Sequence, residues 1–75
     1  MDTPRGSARI AIRLNGAQHE FAAGDTIAVL VISLGFSAEQ VAVERNSRLV
    51  PRTEHGNVAL EEGDAIEVVT LVGGG

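Results

Sequence analysis

Residues 24–35, which read GDTIAVLVISLG, decide the fold, because they form the segment with the clearest helical period. Their large apolar residues recur at i, i+3, i+4 and i+7, which places four side chains on one helical face: Ile27, Leu30, Val31 and Leu34. Asp25 or Thr26 can cap the start of a helix, and Gly35 is a typical stop signal. The β-branched residues favour a strand, but the caps at both ends agree with the period. We therefore predict a helix.

A β-hairpin is predicted before this helix. Residues 9–14 alternate between polar or small residues and large apolar ones, as a half-buried strand does. Asn15 and Gly16 follow, and Asn-Gly is the strongest short hairpin signal because both turn positions favour positive φ. Residues 17–22 then return as the second strand, with Phe21 as their large apolar residue.

Three strands are predicted after the helix. Ser37 and Gln40 have capping-box spacing and indicate a short turn, after which residues 41–45 alternate as a strand. A short strand at residues 49–50 is ended by the proline that follows. Residues 65–72 form the longest strand, and its two largely apolar faces predict a central position in the sheet.

The element order is therefore β-β-α-β-β-β, with one main helix packed on one face of a mixed sheet of about five strands. The last strand is expected to lie parallel to the first. This is an α+β roll with the arrangement of the ubiquitin-like β-grasp fold. We expect a flexible N-terminal extension at residues 1–8, the β-grasp domain at residues 9–72 and a flexible glycine tail at residues 73–75.

Composition narrows the function classes. The chain has 75 residues, a net charge of −4, no cysteine and no lysine. Acidity and only two aromatic residues argue against nucleic-acid binding, and the lack of cysteine excludes zinc–sulfur sites. No apolar run reaches the length of a membrane span, and residues 1–8 do not resemble a signal peptide, so we expect a cytoplasmic protein.

Such a small domain has little room for an enclosed active site, which favours a carrier over an enzyme.

Most polar clusters are predicted to be ordinary surface. His19 and His55 have no cysteine beside them and are expected to lie on the surface rather than to bind a metal. The acidic turn at residues 61–64 is expected to be solvated. The same expectation applies to three arginines: Arg45, Arg48 and Arg52.

The glycine tail is the candidate site. Gly73, Gly74 and Gly75 directly follow the predicted central strand. Lacking Cβ atoms, three glycines can thread a narrow channel in a partner and reach roughly 10 Å. The Gly75 carboxylate would then be open to acyl activation, although a frayed terminus or a cloning remnant gives the same pattern. Ordering the tail requires affinity from the body of the domain. Val29 and Ile32 either form an apolar docking patch together with the sheet face or are buried by a wide helical stripe.

The order and spacing of several short motifs resemble the ThiS family of sulfur carrier proteins of thiamine (thiazole) biosynthesis, over about residues 9–75. The glycine tail belongs to the matching pattern. The other matching segments are Leu14-Asn15-Gly16, Gly24-Asp25-Thr26-Ile27, Leu34-Gly35, Val41-Ala42-Val43-Glu44-Arg45-Asn46, Val50-Pro51-Arg52, Leu60, Glu62-Gly63-Asp64, Ile66-Glu67-Val68-Val69 and Val72-Gly73-Gly74-Gly75.

The resemblance implies a carrier that acts as co-substrate of other enzymes and holds no cofactor of its own. Gly75 would be adenylated by a ThiF-like adenylyltransferase with ATP and Mg²⁺, and a cysteine desulfurase would supply the sulfur. The resulting thiocarboxylate would donate sulfur to a ThiG-like thiazole synthase, with Gly73 and Gly74 as the flexible tail. The free carrier is expected to be a monomer. Residues 53–56 lack the aromatic residue of many relatives, and the helix lacks their acidic residues.

Two other functions fit the same residues. A sulfur carrier for molybdopterin or another pathway uses a Gly-Gly tail in the same way, and the identity of the partner synthase separates it from a thiamine carrier. A ubiquitin-like interaction module or protein modifier carries no sulfur. The absence of lysine argues against chains of this protein linked through its own side chains.

Overall fold

A computed structural model describes residues 8–71, which form a five-stranded mixed sheet with one α-helix packed on one face. The elements are β1 (Arg9–Leu14), β2 (Ala17–Ala22), α1 (Ile27–Ser33), β3 (Val41–Arg45), β4 (Arg48–Val50) and β5 (Ala65–Thr70). Two short 3₁₀ turns span Ala38–Gln40 and Arg52–Glu54. The β-grasp prediction is confirmed, with β4 beginning one residue earlier than expected and β5 ending at Thr70 rather than at residue 72.

The strand order is β2-β1-β5-β3-β4, which places β5 at the centre of the sheet as predicted. β5 pairs in parallel with β1 through the partners Arg13–Ala65 and Leu14–Ile66. It pairs antiparallel with every residue of β3, from Arg45–Ile66 to Val41–Thr70. The strand that leads into the glycine tail is thus held on both sides at its start.

Helix α1 begins and ends where its caps predict. The Thr26 hydroxyl accepts a hydrogen bond from the Val29 N–H at 3.3 Å, and Gly35 adopts a φ of +89° just beyond the last turn. Leu34, predicted on the buried face, is the C-cap and is exposed, because the helix has already ended at Ser33. The buried stripe of α1 is therefore three residues long rather than four.

The segment between β4 and β5 crosses the start of the helix and stabilises it. Ile27 and Ala28 donate their backbone N–H groups to the carbonyls of Val58 and His55, at 3.0 and 2.9 Å. These two donors have no partner within the helix itself. A single antiparallel bridge between Thr26 and Ala59 continues the contact.

The core lies between α1 and the inner face of the sheet. Fully burying an aliphatic side chain contributes roughly 1.5–3 kcal/mol, and the predicted stripe of α1 supplies three of the buried residues. The buried apolar residues are Ile12, Leu14, Ile27, Leu30, Val31, Val41, Val43, Val50, Leu60 and Ile66. Phe21 and Val58 pack against this core from its edge.

One face of β5 is exposed, as expected for a sheet that a single predicted helix covers on one side only. Ile66 is buried and Val68 half-buried on the inner face. On the outer face Val69 is 59% exposed, and Leu71, just beyond the strand, is 53% exposed. The single helix covers only one side of the sheet, and nothing among residues 8–71 covers the other.

His55 is buried, so its predicted surface position is wrong, whereas His19 is exposed as predicted. The side chain is 3% exposed, and its Nε2 atom lies 3.2 Å from the carbonyl oxygen of Val50. Within residues 8–71 its Nδ1 atom has no hydrogen-bond partner. Sequence could not show this burial, which arises because the segment after β4 folds back over the helix.

The predicted extension and tail lie largely outside the described residues. The extension reaches them only at Ala8, whose carbonyl accepts a hydrogen bond from Ala23 at 2.9 Å. Val72 and the three tail glycines are also outside. Within residues 8–71 no helix is long and apolar enough to cross a bilayer.

Candidate functional site

The candidate site begins where β5 approaches the glycine tail. β3 holds this end of β5 on one edge, and the Leu71 N–H donates to the Gln40 carbonyl at 2.8 Å just beyond the last ladder pair. Gln40 is itself fixed by a short turn, since its Oε1 atom accepts from the Ser37 N–H at 2.8 Å. The root of the tail is therefore anchored on the β3 side up to residue 71.

On the opposite edge of β5 the β1 ladder ends at Leu14, and the side chain of Asn15 takes over. Its Oδ1 atom accepts from the Val68 N–H at 2.9 Å, and its Nδ2 atom donates to the Val68 carbonyl at 3.3 Å. Asn15 has a φ of +50° in the hairpin turn, a left-handed conformation that asparagine tolerates. The carboxamide thus replaces one residue of a neighbouring strand.

The open face of the sheet carries apolar and acidic side chains together. Val69 lies beside Ala42 on β3, and Glu67 lies directly opposite Glu44. Leu49 on β4 is the next partner of Glu44 and is also exposed. Every second side chain of β5 points to this face. The exposed surface therefore extends along β5 in the direction of the tail.

The two residues of the predicted docking patch are exposed on the outer surface of α1. Ile32 is 69% exposed and Val29 is 43% exposed. The core separates α1 from the sheet, so these residues point away from the open sheet face. The structure does not bring them together with that face into one patch, as the sequence analysis expected, but leaves two apolar surfaces on opposite sides.

Asp64, the last residue of the acidic turn before β5, is a buried structural anchor, whereas Glu61 and Glu62 are exposed as predicted. Asp64 is 5% exposed, and its carboxylate accepts three hydrogen bonds: from Arg45 Nε at 2.8 Å, from Asn46 Nδ2 at 3.1 Å and from the Glu61 N–H at 2.9 Å. Arg45 also lies 3.5 Å from the Glu61 carboxylate. The predicted solvation of Arg45 and Asp64 is therefore wrong.

The electrostatics of this anchor favour the ion pair. Burial alone raises the pKa of Asp64, but hydrogen bonds from Arg45, Glu61 and Asn46 outweigh it and hold that pKa below its ordinary value. The hydrogen bond to Asp64 raises the pKa of Arg45. Both groups are charged at neutral pH, and they fix the turn from which β5 starts.

Two surface clefts and the remaining acidic and histidine side chains are further candidate sites within residues 8–71. Among residues 8–71 no three histidine, aspartate or glutamate side chains gather as metal ligands. A shallow cleft of about 210 Å³ lies between the two hairpin turns beside Arg13 and Glu67. A second of about 200 Å³, beside β4, is lined by Arg48, Leu49 and Glu54 among others.

Sequence reasoning missed Asn15 as a site residue, because it treated Asn15 only as a turn former. The available signal was the choice of asparagine at the first turn position. Glycine satisfies a positive φ as well, whereas asparagine adds a donor and an acceptor that reach the neighbouring strand.

Comparison with known protein families identifies a match over most of the chain. The ThiS family model matches residues 12–75, which run from the second half of β1 through β5 and the glycine tail. The chain belongs to the ThiS family. The resemblance drawn from the sequence motifs is thereby confirmed.

Two relatives and one solved structure extend the ThiS match. A thiazole synthase of Magnetococcus marinus is 52% identical over 64 residues, which are 85% of this chain and 20% of that protein. A thiazole synthase of Paramagnetospirillum magneticum is 40% identical over 62 residues, or 83% and 19%. The chain spans about a fifth of the length of these relatives. The crystal structure of the thiamine biosynthesis protein ThiS from Geobacter metallireducens has a TM-score of 0.74 and 28% identity, covering 88% of this chain and 100% of that one.

Proposed function

We propose that this chain is a sulfur carrier protein of thiazole formation in thiamine biosynthesis, and that Gly75 carries the sulfur as a thiocarboxylate. The observation that supports this most is the ThiS family match, which runs from β1 through the glycine tail. The fold adds support, because the central strand β5 leads to the tail and is anchored on both edges at its start.

The chemistry is set by the poor reactivity of a free carboxylate. In our proposal a Gly75 carboxylate oxygen attacks the α-phosphorus of ATP and pyrophosphate leaves, giving an acyl-adenylate on a ThiF-like adenylyltransferase that holds ATP and Mg²⁺. Sulfide attack on the acyl carbon then expels AMP and gives the thiocarboxylate directly. A persulfide from a cysteine desulfurase instead gives an acyl disulfide, which a second thiol cleaves to the thiocarboxylate.

The chain itself supplies a substrate rather than catalytic groups. Gly73 and Gly74 have no side chain to obstruct entry of Gly75 into a partner's active site. Ordering three glycines costs about 3–6 kcal/mol at 1–2 kcal/mol per residue, so the folded body must supply the binding affinity. The exposed Val29 and Ile32 on α1 are one candidate surface for this docking.

A thiazole synthase is the proposed consumer of the sulfur. Two relatives named thiazole synthase contain a segment that matches 83–85% of this chain. A carrier and a synthase that occur within one protein are expected to act in sequence. We therefore propose a ThiG-like thiazole synthase as the second partner, after the adenylyltransferase.

Intact mass spectrometry tests the proposal. The chain is incubated with a ThiF-like adenylyltransferase, ATP, Mg²⁺ and sulfide, and its mass is compared with a reaction lacking ATP. Replacement of one oxygen by sulfur, mapped to Gly75 by fragmentation, is the expected result. No ATP-dependent shift with an adenylyltransferase that modifies its own carrier would overturn the proposal and favour a plain interaction module.

A further inference from the structure

We propose that Asn15 is a positioning residue for the sulfur-transfer reaction, because its side chain holds the β1 edge of the later half of β5, the strand that leads towards the tail. The proposal rests on the function proposed above. Its basis is the pair of hydrogen bonds from one carboxamide to both backbone groups of Val68, at 2.9 and 3.3 Å.

The hydrogen bonds matter because β5 has little other support on this edge. The parallel ladder with β1 ends at the pair Leu14–Ile66, and the Asn15 N–H donates to the Ile66 carbonyl at 2.9 Å. Val68 is the next residue of β5 whose backbone N–H and carbonyl point towards β1, and within residues 8–71 both groups bond to the Asn15 side chain. Without that side chain, β5 beyond Ile66 depends on β3.

Packing does not compensate for this. Beyond Val68, the outer-face residues Val69 and Leu71 are mostly exposed, and Thr70 is also exposed. A segment with few buried contacts and exposed hydrogen bonds opens at low free energy. The Asn15 carboxamide therefore restrains the later half of β5 on its β1 edge, while β3 and Gln40 restrain the other edge up to Leu71.

Asparagine suits this position for two reasons. The turn requires a left-handed backbone, here with a φ of +50°, and the carboxamide offers one acceptor and one donor. Glycine keeps the backbone and loses both bonds, whereas aspartate keeps the acceptor for the Val68 N–H and loses the donor. Ser47 in the other hairpin turn has a φ of +71°, and its glycine variant provides a matched control for turn flexibility.

Asn15 and Asn46 both have a left-handed backbone, but they support β5 at different places. Asn46 accepts from the Ala65 N–H at 2.9 Å and donates to Asp64 at 3.1 Å. It therefore braces the start of β5 from the β3 side, far along the strand from the tail. Asn15 braces the later half from the opposite side.

The test combines amide exchange with kinetics on the full chain. In Asn15→Gly we expect Val68 amide exchange to be about tenfold faster or more, since two hydrogen bonds are lost. Steady-state thiocarboxylate formation with the ThiF-like adenylyltransferase should show kcat reduced about tenfold and KM within twofold, because the docking body is intact while the reacting carboxylate is misplaced. Asn15→Asp should lie between the wild type and Asn15→Gly, and Ser47→Gly should match the wild type.

The kinetic split separates positioning from folding. A purely structural role would lower the folded concentration, which raises the apparent KM and leaves kcat unchanged. That result, or a kcat within twofold of wild type, or unchanged exchange at Val68, would overturn the proposal. If Asn15→Gly does not fold, the same comparison is made with Asn15→Asp. If the wild-type chain is not thiocarboxylated, the proposed function fails and so does this role, whereas a reactive wild type with an unaffected variant removes only the role of Asn15.

Discussion

Arg45 Nε donates to Asp64 Oδ2 at 2.8 Å, which ties the end of β3 to the residue that precedes β5. The same carboxylate also accepts from Asn46 and from the Glu61 N–H. One buried side chain therefore joins the β3–β4 turn, the acidic turn and the start of the central strand. Loss of the Asp64 carboxylate should therefore lower the free energy of unfolding of the whole domain rather than loosen one loop.

We expect Asp64→Asn to lower the free energy of unfolding by about 2 kcal/mol at pH 7, since hydrogen bonds to charged groups contribute roughly 1.5–3 kcal/mol. The amide keeps the size of the side chain but removes the charge that pairs with Arg45. Urea unfolding of both proteins at pH 7 measures the difference. Glu61→Gln is the matched control, because Glu61 also pairs with Arg45, at 3.5 Å, but is exposed to solvent. This substitution should change the free energy of unfolding by less than about 1 kcal/mol.

The same pair predicts a pH dependence. The pKa of Asp64 is lowered in the folded state, so the carboxylate stabilises the fold fully above its unfolded pKa of about 3.9. That contribution is lost as the pH falls through the lower folded pKa. The stability gap between wild type and Asp64→Asn should therefore be constant from pH 7 to 5 and shrink below about pH 4. A gap that stays constant down to pH 2 would contradict this account.

Sequence patterns predicted the elements whose signals are local. The hairpin turn at Asn15 and the helix caps at Thr26 and Gly35 follow from residues near one another, and the parallel pairing of the first and last strands follows from their connection through one helix. The burial of His55 and Asp64 was missed, because each depends on a segment that folds back from elsewhere in the chain. The composition of a turn indicates solvation, but it does not reveal an arginine supplied by a neighbouring strand.

The candidate site divides in the same way. The glycine tail was visible in the sequence as a motif, and the exposure of Ile32 agreed with its position off the helical stripe. The open outer face of β5 was expected as well, but its position on the side opposite Val29 and Ile32 was not, because the sequence analysis joined both surfaces into one patch. Counting layers resolves this, since one helix covers only one face.

Glu44 and Glu67 lie directly opposite each other on β3 and β5. Like charges in this arrangement destabilise a sheet. We expect Glu44→Gln to raise the free energy of unfolding by about 0.2–1 kcal/mol at low ionic strength, with a smaller gain in high salt because the repulsion is screened. Thermal unfolding at two salt concentrations measures it. Glu39→Gln, an exposed substitution in the short turn before β3, is the control, and an equal gain there would contradict the cross-strand explanation.

Deleting Gly74 and Gly75 should abolish thiocarboxylate formation and leave the fold almost unchanged. The buried core and the anchors at Asp64 and Gln40 all lie within residues 8–71, so the free energy of unfolding should change by less than about 0.5 kcal/mol. Mass spectrometry and urea unfolding of the same sample measure the two effects. Replacement of Gly75 by alanine keeps the length and tests the demand for an unhindered end. Unfolding on deletion would show that the tail is structural and would remove the basis of the carrier proposal.

The last prediction concerns the two apolar surfaces on opposite sides of the molecule. Ile32 and Val29 on α1 are exposed, so Val29→Ser with Ile32→Ser should change the stability of the free chain by less than about 1 kcal/mol. If α1 is the docking surface, this double variant should raise the Kd for the adenylyltransferase tenfold or more, because each buried aliphatic side chain contributes roughly 1.5–3 kcal/mol. The matched variant on the sheet face, Leu49→Ser with Val69→Thr, should leave that Kd within threefold.

Isothermal titration calorimetry of both double variants against the adenylyltransferase compares the contribution of the two surfaces to the same Kd. Loss of affinity only in the sheet-face variant would move the docking surface to the side of β5 that carries Glu67 and would remove Val29 and Ile32 from the site. Repeating the titration with a thiazole synthase tests whether the second partner uses the same surface. Because one tail can enter only one active site at a time, two partners that share a surface must exchange the carrier by dissociation. Two partners that use opposite surfaces would instead let the synthase bind before the adenylyltransferase leaves.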